Sequence, residues 1–241
     1  MEPPVKVKLE ESDVRECLLQ LSNESRDFYN NERHRAGRIE WFFNPHLKEQ
    51  FVSAEAAHIY HIKEKYHEIN LLRFPIPLDD ARLVAHEIVH AILTEENHSL
   101  LVVPCDERYT SLSTNLGTLL EDPVVDSFLQ ERYHFDLTSD CVRRLSIIKQ
   151  AWKNQSEPRG VPLLEVALLL ANQMMKWRLI KNVDALSMWS DFLFWFGDEY
   201  PNILLIAVGF IASMQKVGLE TLDKRKATYE EIVKNYQLEE Y

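Results

Sequence analysis

Cysteine is scarce in this chain and long apolar runs are missing from it, and each lack removes a class of protein. The three cysteines, Cys17, Cys105 and Cys141, are odd in number, far apart and without a C-x-x-C pair. They argue against a disulfide framework or an all-cysteine zinc site and favour a reducing compartment. The first residues, Met1 to Lys6, carry no apolar stretch of the signal-peptide kind. The longest apolar run, Ile203 to Met214, is too short and too interrupted to span a bilayer. A cytoplasmic location is therefore expected. Internal repeats and low-complexity tracts are also missing. Positive charge is in deficit, giving a formal net charge of −11. Neither a nucleic-acid backbone nor an anionic membrane surface is then expected as a partner, because both would be repelled.

What is present is a chain of 241 residues with ordinary apolar content, enough for one large or two small domains. One stretch points to a chemistry. Val84-Ala85-His86-Glu87-Ile88-Val89-His90-Ala91-Ile92 contains an H-E-x-x-H motif among apolar neighbours. On a helix, positions i and i+4 share a face, so His86 and His90 direct their imidazoles at a common point that suits a metal ion. Glu87 lies about 100° further round the helix. From there its carboxylate reaches a water on the ion without itself being a ligand. Leu83, Ala85, Ile88 and Ile92 mark a helix with a buried face, where two histidines and a glutamate are costly unless paired or metal-bound. Pro75-Ile76-Pro77-Leu78 is expected to be extended, Asp79 or Asp80 to cap the motif helix, and the helix to end near Glu95-Glu96-Asn97.

Residues 84 to 92 resemble the active-site helix of the zincin metallopeptidases, a superfamily of zinc-dependent hydrolases. Metzincins place a glycine and a third histidine after the second ligand. Here those positions hold Leu93 and Glu96, so the metzincin pattern is absent. The resemblance implies a gluzincin-type site, in which the third zinc ligand is a glutamate from a later helix. Glu121, about thirty residues beyond His90, takes that place, with Asp122 as the alternative. A third reading leaves both carboxylates solvated, with Asp122 capping a following helix. One of Asp122 and Asp126 would accept the second ring N–H of a liganding histidine. Pro123 either kinks its helix or starts a new one. Tyr133 or His134 would polarise a substrate carbonyl. Zn2+ on His86, His90 and Glu121, Glu87 as the catalytic base, and a peptide or protein substrate complete what the resemblance implies. The rival from another class is a non-catalytic zincin-like scaffold acting as a protein-interaction module.

Around the motif the chain reads as mainly α, with α+β possible. Residues 12 to 43 begin with Ser12-Asp13 as a cap and carry Val14, Cys17, Leu18 and Leu21 at helical spacing, fitting one long helix or two short ones. After the break at Asn44-Pro45, residues 57–62 and 69–74 fit short strands or further helix. His58 and His61 fall on opposite faces of such a strand and read as ordinary, partly exposed histidines. Leu100 to Val103 fits a short strand or loop. Leu112, Leu116, Leu119 and Leu120 stripe a helix over 107–132. Beyond Ser139, helices are expected near 140–154, 162–181, 184–199, 202–217 and 221–237, separated by Gly160-Val161-Pro162, Asn182, Tyr200-Pro201 and Gly218. Trp177, Trp189, Phe192, Trp195 and Phe196 read as core. The expected architecture is a zincin-like active-site helix pair with a small extended region and a C-terminal helical bundle. Ser156 to Gly160 divides it into residues 1–155 and 156–241, packed as one unit.

Overall fold

The computed structural model describes residues 6–50, 55–100 and 109–238. The fold is mainly α with one small four-stranded sheet. The chain gathers into two compact units, one of residues 1–99 with 128–135, the other of residues 100–127 with 136–241. This division is not the one at 155/156. The stripe Leu112, Leu116, Leu119, Leu120 and the following Leu137, Cys141 and Leu145 pack into the same apolar core as Leu168, Trp177, Phe192 and Phe210. Burying that stripe draws the residues before the Ser156–Gly160 stretch into the helical unit. Among the described residues, no helix is long and apolar enough to cross a membrane.

The first unit opens with β1 (Val7–Leu9), α1 (Glu11–Leu21) and α2 (Asn23–Glu32). The break between the two helices is made by Ser22, which is extended and whose hydroxyl accepts from the Ser25 N–H to cap α2. Trp41 to Phe43 are not part of a helix: they lie in β2 (Ile39–Phe43). After the short helix α3 (Leu47–Gln50) come β3 (Ala56–His61) and β4 (Tyr66–Leu71), so that of the two alternatives for this run, short strands or further helix, strands form. The sheet order is β1-β2-β4-β3, with β2 parallel to β4 and the other pairs antiparallel. In this register His58 faces Ile69 and Tyr60 faces His67, so His58, Tyr60, His67 and Ile69 share one face of the pleat.

The motif helix is α4 (Ala81–Glu95), and ten of its 15 residues are buried. Asp80 stands at its N-cap position without making a side-chain cap. Its carboxylate is instead gripped by the guanidinium of Arg73, with Nε at 2.8 Å, a charge-assisted bond stronger than a neutral cap. At the other end Asn97 adopts a left-handed φ of +56°. The His98 N–H then bonds the Leu93 carbonyl and the Asn97 N–H the Thr94 carbonyl, a Schellman stop that ends the helix where the sequence places it.

The second unit is helical. α5 (Thr110–Tyr133) continues through Pro123, and its last turns from Phe128 belong to the first unit. α6 (Thr138–Trp152), α7 (Val161–Trp177), α8 (Val183–Glu199), α9 (Pro201–Val217) and α10 (Leu222–Asn235) follow. The breakers act as their residue types predict: Asn182 accepts from the Ala185 N–H to cap α8, Pro201 is the first residue of α9, and Gly218 ends it. Trp177 lies parallel on Trp189 at 5.0 Å between ring centroids, and Trp189 lies on Phe192 at 5.3 Å. Of the run Leu100 to Val103, all beyond Leu100 falls outside the described residues.

Candidate metal centre

α4 sets the first two groups. His86 is buried and His90 half-buried, and their Nε2 atoms stand 3.1 Å apart. Two nitrogens bound at about 2.0–2.1 Å to one tetrahedral ion are separated by about 3.3 Å. The observed spacing admits either an N–H···N bond between neutral rings or one shared cation. Glu87 is half-buried one position on, directed round the helix from the two rings. The third group is Asp122: its ligand atom and those of His86 and His90 all lie within 4.8 Å of one another. Two imidazoles and one carboxylate make a donor set of the kind that holds catalytic zinc.

Glu121, the expected third ligand, is placed otherwise. Its carboxylate accepts a hydrogen bond from the Leu100 N–H. One residue along a helix is a turn of about 100°, and Glu121 is not in the group formed by His86, His90 and Asp122. Asp122 is held from α7: its Oδ2 accepts from Asn172 Nδ2 at 3.1 Å and pairs with Lys176 Nζ at 2.9 Å. Asp126, one turn further on, is 3.6 Å from the same ammonium. Tyr133 does not present a free hydroxyl: it donates to the buried carboxylate of Glu32. Burial and the Glu32 charge together push the phenol up to about 12. His134 is exposed, at a left-handed φ of +61° just beyond α5.

Beside His90 lies a chain of polar groups that sequence reasoning misses. The ring of His58 is parallel to that of His90, 6.3 Å away. His58 Nε2 is 2.8 Å from His67 Nδ1, and His67 Nε2 is 2.9 Å from Glu95 Oε1. A carboxylate only accepts, so Nε2 of His67 carries its proton and Nδ1 its lone pair. His58 must then donate from Nε2, which leaves its own lone pair on Nδ1. Gly37 closes the end of the chain. Its φ of +62° is one that favours glycine, and a Cβ there would stand 2.7 Å from Cδ at the far end of the exposed Glu95 side chain, which would have to shift. In the sequence His58 reads as ordinary and His67 does not stand out, because their meeting depends on strand register. The one signal that could have found them is a motif helix ending in Glu95 close to two histidine-bearing strands.

Burial holds His58 well below the usual histidine range, assisted by the neighbouring His90 and His67. It also lowers His67, against the opposing pull of Glu95. Between these lowered values and the ordinary value of 6.5 the unfolded chain binds more protons than the folded one, so stability rises with pH across that window. The first unit is therefore expected to hold its full stability above about pH 6.5 and to lose up to about 1.4 kcal/mol per pH unit for each histidine below it. Urea unfolding at pH 7, 6 and 5 measures this. A slope unchanged in His67→Gln would show that the histidine chain is not its source.

Comparison with protein families, with curated proteins and with solved structures finds no match for this chain. The functional reading therefore stands on the residues and their geometry.

Proposed function

We propose that the protein is a cytoplasmic zinc-dependent hydrolase, a metallopeptidase resembling the zincins, acting on peptides or proteins. His86, His90 and Asp122 hold the ion in this reading, with Asp122 in place of Glu121. The observation that carries it is the convergence of these three donors within 4.8 Å, with Glu87 adjoining the first of them in the H-E-x-x-H order.

Zinc, when bound, supplies a Lewis acid that polarises a carbonyl and makes a bound water acidic near neutral pH. The chain's own part is positional. The buried rear of α4, with Ile88 and Ile92, fixes the histidines in their i and i+4 relation. Lys176 and Asn172 hold the Asp122 carboxylate in place. Glu87 takes the proton of the attacking water and later gives it to the leaving amine.

Elemental analysis and zinc titration of protein purified without chelators test the reading. About one equivalent of zinc is expected, with its loss in His86→Ala and in Asp122→Asn. Less than about half an equivalent, or full zinc retention in His86→Ala, would overturn it. A zinc closed by four protein ligands would favour a structural ion in a non-catalytic scaffold.

A further inference from the structure

α8 carries apolar residues on two opposite faces. Ala185, Trp189, Phe192 and Phe196 are buried and join the core of the helical unit. Val183, Ser187, Ser190 and Phe194 follow one another at steps of four, three and four residues, the spacing of a coiled-coil seam, and fall on the face away from that core. Val183 is 77% exposed and Phe194 76%. Leu186, also exposed, adjoins the seam on one side. A single exposed apolar side chain needs no explanation. Three along one ridge, outermost where a solvated helix places its charges, call for a covering partner.

The other flank of the seam is acidic. Asp184, Asp191 and Asp198 recur every seven residues, so all three lie along one edge of it. They and Glu199 are exposed, and α8 contains no lysine, arginine or histidine. None of the four carboxylates takes part in a salt bridge among the described residues. Lys181, exposed, precedes the helix, and Lys149 of α6 lies over the Trp195 ring at 5.6 Å from its centroid; neither pairs with the aspartate row. Charge selects the occupant. A second copy of the chain would bring the same row and its own net charge of −11, and nucleic acid or an anionic membrane would be repelled likewise. A cationic helix with an apolar stripe satisfies both parts of the face at once. Its stripe covers Val183 and Phe194 and seats bulky side chains over the small Ser187 and Ser190, while basic residues spaced by seven reach the aspartates.

We propose that the outer face of α8 docks a cationic amphipathic helix of a partner protein, with Phe194 as its apolar anchor and Asp184, Asp191 and Asp198 setting the register. Docking there is independent of any metal. Burial of Phe194 and pairing of the aspartates both favour the complex, so the two contributions have the same sign. A merely solvated acidic face with an incidental phenylalanine would also attract polycations, but regardless of how their apolar residues are arranged.

The experiment is fluorescence anisotropy of a labelled synthetic peptide titrated with the full chain at about 0.15 M salt. The probe has about three heptads, with leucine at the seam positions and lysine on both flanks. It should bind saturably and about tenfold or more tightly than a scrambled peptide of the same composition. Phe194→Ser and Asp191→Lys should each weaken it by about tenfold. Glu230→Lys, a charge reversal at an exposed position of α10, should stay within about threefold of the parent. Both substituted positions on α8 are exposed, so melting temperatures should stay close to that of the parent. Should Phe194→Ser fail to fold, Phe194→Gln takes its place with the same expected loss. Equal binding of the scrambled peptide, a lack of saturable binding, or indifference to the Phe194 or Asp191 substitution overturns the proposal. A dimer of the parent in sedimentation that Phe194→Ser dissolves also overturns it, because the occupant is then a second copy.

Discussion

Glu87→Gln is expected to retain its zinc and to lose peptide hydrolysis by roughly 10²–10⁴-fold, the contribution typical of a positioned general base. The substitution keeps the length and shape of the side chain and removes only its capacity to accept and return a proton. Since His86, His90 and Asp122 contribute the donors that converge within 4.8 Å, and Glu87 is not among them, zinc content should stay within about twofold of the parent. The kinetic loss corresponds to about 3–5 kcal/mol of transition-state stabilisation. It should fall on kcat rather than on KM, because the proton is transferred only as the bond is made. Zinc analysis and turnover of a fluorogenic peptide set, on the same preparations, separate the two readouts. Retained turnover in Glu87→Gln would end the proposed mechanism. Loss of zinc along with turnover would make Glu87 a ligand and reassign the chemistry of α4.

The largest expected effect on stability lies in the helical unit. Trp177 is 2% exposed and its ring lies parallel to that of Trp189 with an interplanar angle of 4°. Trp177→Ala removes both the buried area and the stacked contact and leaves a cavity that rigid helices fill poorly. A loss of about 3–5 kcal/mol is expected, seen as a fall on the order of 10 °C in Tm. Trp177→Phe keeps an aromatic ring at the same place and should recover part of it. Thermal melts followed by far-ultraviolet dichroism decide the point. A loss below about 1 kcal/mol would mean that the stack contributes little beyond surface packing.

The helical unit is the more legible part of the sequence. Its apolar stripes are long, and its stops are residues whose backbone chemistry leaves few options: Asn182 as a cap, Pro201 at a first helical turn and Gly218 at a helix end. Trp41 to Phe43 mislead because aromatic residues suit a buried strand as well as a buried helix. Only pairing with β4 on one side and β1 on the other settles their state. Within the candidate centre, His86 and His90 are legible because both lie on one helix, where spacing fixes direction. Asp122 and Glu121 are not separable, since spacing along the chain says nothing of how a later helix is rotated about its axis. His58, His67 and Glu95 meet only through strand register and the packing of α4 on β3 and β4, neither of which leaves a local pattern.

Gly37 gives that last group a different meaning. Polar constellations are usually thought to be maintained by the side chains that compose them. Here one boundary is set by a residue that brings no side-chain atom at all, whose φ of +62° favours glycine and beside which the end of Glu95 lies. A substitution at Gly37 therefore reaches the histidine chain only by shifting the end of Glu95, while the strain it adds falls on the turn itself.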